Sequence, residues 1–213
     1  MKIAVFGAGG MGREVACLIQ EINAAGPAEP WQFVGFYDDN PTLKSVPQGA
    51  ILGNLEALNA VVEPLAVVLA LGTPKTLRAV RERLTNPLLS FPNLISPRAH
   101  FIERESVKMG CGNVIQPGIE ISFEVNLGDF NICNVSMTLG HEAKIGSYNV
   151  FLMGTRLAGN VEIGNNNLFG TNSFVHQGVK IGDNVTIGAC SAVLHSTQNN
   201  ATYLGVPAKI LKL

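Results

Sequence analysis

The chain has 213 residues, 46% of them hydrophobic and only 15% charged, with a net charge of −1 at pH 7. That length supplies one large domain or two small ones, each with room for a core. The charge balance provides no broad basic field for nucleic acid, and no apolar run is long enough to span a bilayer.

Lys2–Phe6 reads as a short buried strand and is followed by Gly7-Ala8-Gly9-Gly10-Met11-Gly12. One lysine and an apolar stretch broken by glycines do not resemble a secretory leader, so a cytoplasmic protein is expected. A helical pattern then runs to about Ala25, with Val15, Leu18, Ile19 and Ile22 on one face. Gln32–Tyr37 predicts a second strand ending at Asp38-Asp39, and Asn54–Val62 a short helix. Leu65–Leu71 predicts a third strand, Lys75–Leu84 a helix after Gly72-Thr73-Pro74, and Phe91–Ile95 a fourth strand. The order predicts a small parallel sheet covered by helices over residues 1–95.

The glycine loop satisfies G-x-G-x-x-G between a strand and a helix, with Asp38 as the acidic residue that ends the next strand. Glycines let backbone approach phosphate, and a helix N-terminus favours its charge. Three or four strands make roughly half of a six-stranded dinucleotide fold, so a mononucleotide or nucleotide-sugar is expected rather than NAD. The bland alternative is a glycine turn that only packs helix against strand.

After Ser96-Pro97 the pattern changes. From Met109 to Val193 every sixth residue is apolar, fifteen in register, and eight of the residues that follow them are glycine. Neither a period of 3.6 nor one of 2 produces a strict six, whereas the coils of a β-helix do. Drawn as a triangular prism with 18 residues per coil, residues 18 apart stack about 4.8 Å apart. Asn113, Asn131, Asn149 and Asn167 then form one ladder, and Lys144, Glu162 and Lys180 a column of alternating charge. The open ends need caps, supplied by the N-terminal domain and by residues 202–213. Cys17, Cys111, Cys133 and Cys190 show no C-x-x-C spacing and read mostly as reduced core residues.

Among the four histidines, His141 precedes Glu142 at a position that should turn outward, and Gly159 lies one coil above it with no side chain in the way. A neutral imidazole beside a carboxylate can take a proton from an amine or hydroxyl. His195 shares the column three coils up, roughly 14 Å away. His100 and His176 have no evident carboxylate neighbour. With the histidines scattered over columns, no catalytic metal is expected.

The two halves together resemble the bacterial hexapeptide-repeat acyltransferases that modify sugars: the sugar-nucleotide N-acetyltransferases and the sialic acid O-acetyltransferase-like proteins. The resemblance is carried by the glycine loop, Asp38-Asp39, Gly72-Thr73, Ser96-Pro97, the coils and Gly205-Val206-Pro207-Ala208-Lys209. It implies a left-handed parallel β-helix over residues 96–213, a homotrimer with sites at subunit interfaces, and acetyl transfer from acetyl-CoA in bacterial surface glycan synthesis. The implied base and its partner fall on His141 and Glu142, with Asn134 in the site. The implied sugar-nucleotide positions fall on Gly9, Gly10, Met11, Asp38, Asp39 and Gly53. The implied acetyl-CoA positions fall on Val150, Thr171 and Ala189. The expected activity is N-acetylation of a nucleotide-activated amino sugar. The alternatives are sugar O-acetylation, a non-catalytic trimeric scaffold and an NAD-dependent oxidoreductase.

Overall fold

The computed structural model describes residues 1–211 and divides into two compact units, Met1–Pro97 and Arg98–Leu213. Lys212 and Leu213, the end of the segment expected to cap the coils, lie outside the described residues.

In the first unit β1 is Lys2–Phe6, α1 Gly10–Ala24, β2 Gln32–Tyr37, β3 Ser45–Val46 and β4 Gly49–Gly53. α2 is Leu55–Asn59, β5 Leu65–Leu69, α3 Pro74–Arg83 and β6 Leu89–Ser90. The sheet order is β3-β4-β2-β1-β5-β6, parallel except for the β3–β4 hairpin. The centre lies at β1 and β5: Ile3, Ala4, Val5, Ala66 and Val67 are fully buried, as continuous apolar runs in a parallel sheet require. Six strands replace the three or four expected. The missed pair is the β3–β4 hairpin: β3 has only two residues, and β4 is a half-exposed strand bounded by glycines. The last strand is Leu89–Ser90 rather than Phe91–Ile95. Pro92 has no N–H to donate to a ladder, and Leu94–Ile95 is a separate two-residue strand.

The second unit is a three-walled parallel β-helix. One wall stacks the strands at 114–115, 132–133, 150–151, 168–169 and 186–187. The second stacks 100–101, 120–121, 138–139, 156–157, 174–175 and 192–193. The third stacks 108–109, 126–127, 144–145, 162–163 and 180–181. Partners differ by 18 residues, as in Ile115↔Cys133↔Phe151↔Phe169↔Ile187. The first and last coils depart from that spacing. His100 pairs with Glu120, because the 3-10 turn Arg104–Ser106 lengthens the coil, and Thr186 pairs with Thr202. Thr202–Leu204 then turns back antiparallel to Lys209–Ile210.

Fourteen of the fifteen beat residues are buried, and Met109 is half-buried. Each side of the prism turns at a residue in the left-handed region, every sixth position from Gly112 to Cys190, and Glu142 is one of them at φ 57°. The asparagine ladder lies fully buried. Asn131 Nδ2 donates to Asn113 Oδ1 at 3.1 Å and Asn149 Nδ2 to Asn131 Oδ1 at 3.0 Å, while each amide also reaches a glycine carbonyl. In the charged column Lys180 Nζ lies 2.8 Å from Glu162 Oε2, which holds the Glu162 carboxyl below its ordinary range.

Asn149→Ala strips partners from the buried Asn167 N–H and the Gly164 carbonyl. Each orphaned group costs about 1–3 kcal/mol, so the variant should lose about 2–5 kcal/mol in denaturant titration. An unchanged midpoint would show that the ladder is not a source of stability.

The cysteines correct another expectation. Only Cys133 is buried, and burial pushes its thiol up to about 12. Cys111 and Cys190 sit at corners and Cys17 on the outer side of α1, so all three are exposed.

Candidate active site

His141 occupies the corner between the second and third walls, directly after the strand Thr138–Leu139. Its Nδ1 lies 2.9 Å from Glu142 Oε2, and both side chains are half-exposed. With Nδ1–H donating to the carboxylate, Nε2 keeps its lone pair for a substrate proton. The backbone fixes the corner on both sides: Glu142 N donates to Phe123 O at 3.0 Å and Asn160 N to His141 O at 2.7 Å. One coil below, the Phe123 ring stacks on the imidazole, with centroids 5.4 Å apart and planes 13° apart. One coil above, a Cβ on Gly159 would overlap Nε2 and Cε1, so the imidazole occupies space that only glycine leaves open. A cleft of about 390 Å³ beside Glu142 is also lined by Ser106, Lys108, Glu124, Asn126, Lys144 and Asn160.

The three corners differ in how their amides are satisfied. Between the third and first walls, the N–H of Cys111, Asp129, Ser147, Asn165 and Asp183 each donates to a side chain of the next coil. At the His141 corner the equivalent amides of His141, Gly159 and Gln177 have no such cap among the described residues.

Asn134, Thr171 and Ala189 lie at the third corner, between the first and second walls, and Val150 is buried within the first wall. Asn134 Oδ1 accepts from Val135 N at 2.7 Å. One side of the prism, roughly 15–20 Å of chain, separates this corner from His141. A single chain therefore brings His141 and Glu142 together, and does not bring Asn134, Val150, Thr171 or Ala189 to them.

In the first unit the glycine loop has the geometry its motif requires. Gly7 has φ +100° beneath the Ala70 carbonyl, and a Cβ on Gly12 would overlap the Gly7 carbonyl. Gly9 and Gly10 are exposed with nothing within 4 Å of a Cβ, and Met11 is half-buried. α2 and α3 are capped by Asn54 and Thr73, whereas no side chain caps α1. Its first amides are open to an anion.

Both aspartates make contacts within the protein. Asp38 Oδ2 accepts from Ala8 N and Oδ1 from Asn40 N, each at 2.8 Å, while the Asp38 N–H donates to Gly53 O at 2.9 Å. Asp39 Oδ1 accepts from Leu55 N at 2.9 Å, at the start of α2. Asp38 thus ties the glycine loop to the end of β2.

Two features escaped the sequence reading. The Phe123 stack was available from the 18-residue rule, since Phe123 is one coil before His141. His100 does have a carboxylate neighbour, Glu120 Oε1 at 4.0 Å, hidden because the first coil breaks the rule. Among the described residues no group of three or more His, Cys, Asp or Glu is placed to hold a metal ion, and no helix is long and apolar enough to cross a membrane.

Residues 2–84 match the family model of the PglD N-terminal domain, and residues 160–195 that of the bacterial transferase hexapeptide (six repeats). The acetyltransferase domain of PglB from Neisseria gonorrhoeae FA1090, solved in complex with acetyl coenzyme A, is 30% identical. The match covers 99% of this chain and 98% of that one, with a TM-score of 0.87. A second structure of that domain is 29% identical over 99% of both chains, with a TM-score of 0.89. PerB from Caulobacter crescentus, in complex with CoA and GDP-perosamine, is 26% identical over 100% of this chain and 98% of that one, with a TM-score of 0.84. A search of curated protein sequences found no match.

The chain belongs to the hexapeptide-repeat acyltransferases, enzymes built on a left-handed β-helix. Within that class it stands with the acetyltransferases that carry a PglD-type N-terminal domain.

Proposed function

We propose that this enzyme transfers an acetyl group from acetyl-CoA to the amino group of a nucleotide-activated amino sugar, with His141 as general base. The observation that carries the reading is the His141–Glu142 pair, oriented at 2.9 Å with the imidazole seated against Gly159 in space that no side chain fills. Acetyl-CoA would supply the acyl group as a thioester. His141 Nε2 accepts the proton that the amine nitrogen sheds as it bonds to the acyl carbon, and returns it to the departing sulfur. Glu142 keeps the imidazole in the required tautomer and stabilises the imidazolium formed in that step. One of the uncapped corner amides at this edge, that of Gly159 or of an adjacent coil, can donate to the acyl oxygen as it takes on charge.

We assign the sugar nucleotide to Gly9, Gly10, Met11, Asp38, Asp39 and Gly53, where the open first turn of α1 suits a phosphate. Asn134, Thr171 and Ala189, assigned to substrate and acetyl-CoA, lie on another edge of the prism from His141, and Val150 is buried in the wall that leads to that edge. A site using both edges requires two copies, which supports a cyclic homotrimer with sites shared between neighbours. The four cysteines form no disulfide, which suits the reducing cytoplasm, where we place the enzyme.

The test is to incubate the protein with acetyl-CoA and a panel of amino-sugar nucleotides, following free thiol release and the product's acetyl linkage. An amide product supports the reading. An ester product moves the acceptor to a hydroxyl, and no turnover with any member of the panel rejects it. In the same panel Asp38→Ala should weaken nucleotide-sugar binding about tenfold or more in calorimetry, because two charge-assisted bonds that shape the loop are lost. Acetyl-CoA affinity should hold. Equal loss of both affinities would contradict the division of ligands between the two units.

A further inference from the structure

We propose that Phe123 is a positioning residue for the base, an inference that rests on the assignment of His141 above. Phe123 and His141 hold the same position in successive coils, and their rings lie nearly parallel at 5.4 Å and 13°. The phenyl ring is 39% exposed, so it is not part of the buried core. Its contact is with the imidazole face. Glu142 holds one edge of that imidazole at Nδ1, the ring seats against Gly159 on the coil above, and Phe123 covers a face from the coil below.

The arrangement has a chemical consequence. When Nε2 accepts the amine proton, the ring becomes an imidazolium lying over the negative face of a π-system, and that contact favours the charged form. Phe123 therefore acts where charge develops, alongside Glu142 but through a different surface of the ring. It also restricts rotation of the imidazole, which keeps Nε2 aimed at the amine. Both effects belong to the chemical step, and neither requires Phe123 to touch either substrate.

The experiment uses the full chain with Phe123→Leu, Phe123→Tyr, His141→Ala and the double variant Phe123→Leu/His141→Ala. Kinetics are measured with acetyl-CoA and the active amino-sugar nucleotide, and the His141 ring protons are followed by NMR. Phe123→Leu should lower kcat about two- to fivefold at unchanged KM for both substrates, the range expected for losing a partly exposed cation–π contact. Phe123→Tyr should restore the rate. The His141 ring protons should lose their upfield ring-current shift in the leucine variant and keep it in the tyrosine variant. In the His141→Ala background, Phe123→Leu should cost nothing further.

Wild-type kcat in Phe123→Leu, or the same fold loss with and without His141, overturns the role of Phe123 while leaving the base assignment standing. Wild-type kcat in His141→Ala overturns the base itself, and this proposal with it.

Discussion

His141→Ala lowers kcat by about 10²–10⁴-fold, the usual contribution of a positioned general base, with KM and thermal stability close to those of the parent. The side chain is half-exposed and carries no part of the core, so its removal leaves the coil intact. The corner itself is held by backbone bonds from Glu142 N and Asn160 N that alanine retains. Glu142→Gln should be milder, since it keeps an acceptor near Nδ1 and loses only the charge. Steady-state kinetics with saturating acetyl-CoA and an amino-sugar nucleotide read both variants. Retention of more than about a tenth of parental kcat by His141→Ala would remove it as the base.

Gly159→Ala is the second large effect, and it removes no functional group. A methyl at this position would overlap Nε2 and Cε1 of His141, so the imidazole must swing away from Glu142 and Phe123. Gly159 does not adopt a positive φ, so the backbone accommodates alanine and the coil should still form. Misplacement by about 1 Å typically costs 10² in rate, so kcat should fall by about that factor or more, with the melting temperature nearly unchanged. Nucleotide-sugar binding to the first unit should be intact by calorimetry. Parental kcat in Gly159→Ala would mean that the working imidazole points elsewhere.

Both expectations trace to an 18-residue column, and that column is where the sequence was most informative. The beat of apolar residues, the asparagine ladder and the Lys144–Glu162–Lys180 stack follow from one rule, and that rule holds wherever coils are regular. It fails at the ends for a local reason. The turn at Arg104–Ser106 adds two residues and places His100 opposite Glu120 rather than Gly118. The β3–β4 hairpin was missed because two-residue and half-exposed strands have no apolar signature of their own.

At the site, His141 and Glu142 were legible as neighbours in sequence, and Gly159 by counting one coil. The 2.9 Å orientation and the Phe123 stack are side-chain geometry that spacing can suggest but not supply. Asp38 was legible as an acid after a strand, while its bonds to Ala8 and Asn40 depend on a loop conformation no motif encodes.

The corner conformation bears on how far this enzyme can be stabilised. An L-residue with a Cβ pays roughly 1–2 kcal/mol to turn left-handed, and glycine and asparagine escape most of it. Asn160, Asn166, Asn172 and Asn184 already relieve four corners, whereas Glu124, Ser136 and Glu142 do not. Asparagine or glycine at 124 or 136 should therefore raise thermal tolerance. The same change at 142 would gain tolerance and forfeit the carboxylate beside the proposed base. In that column the residue best suited to heat and the residue the proposed chemistry requires diverge at a single position.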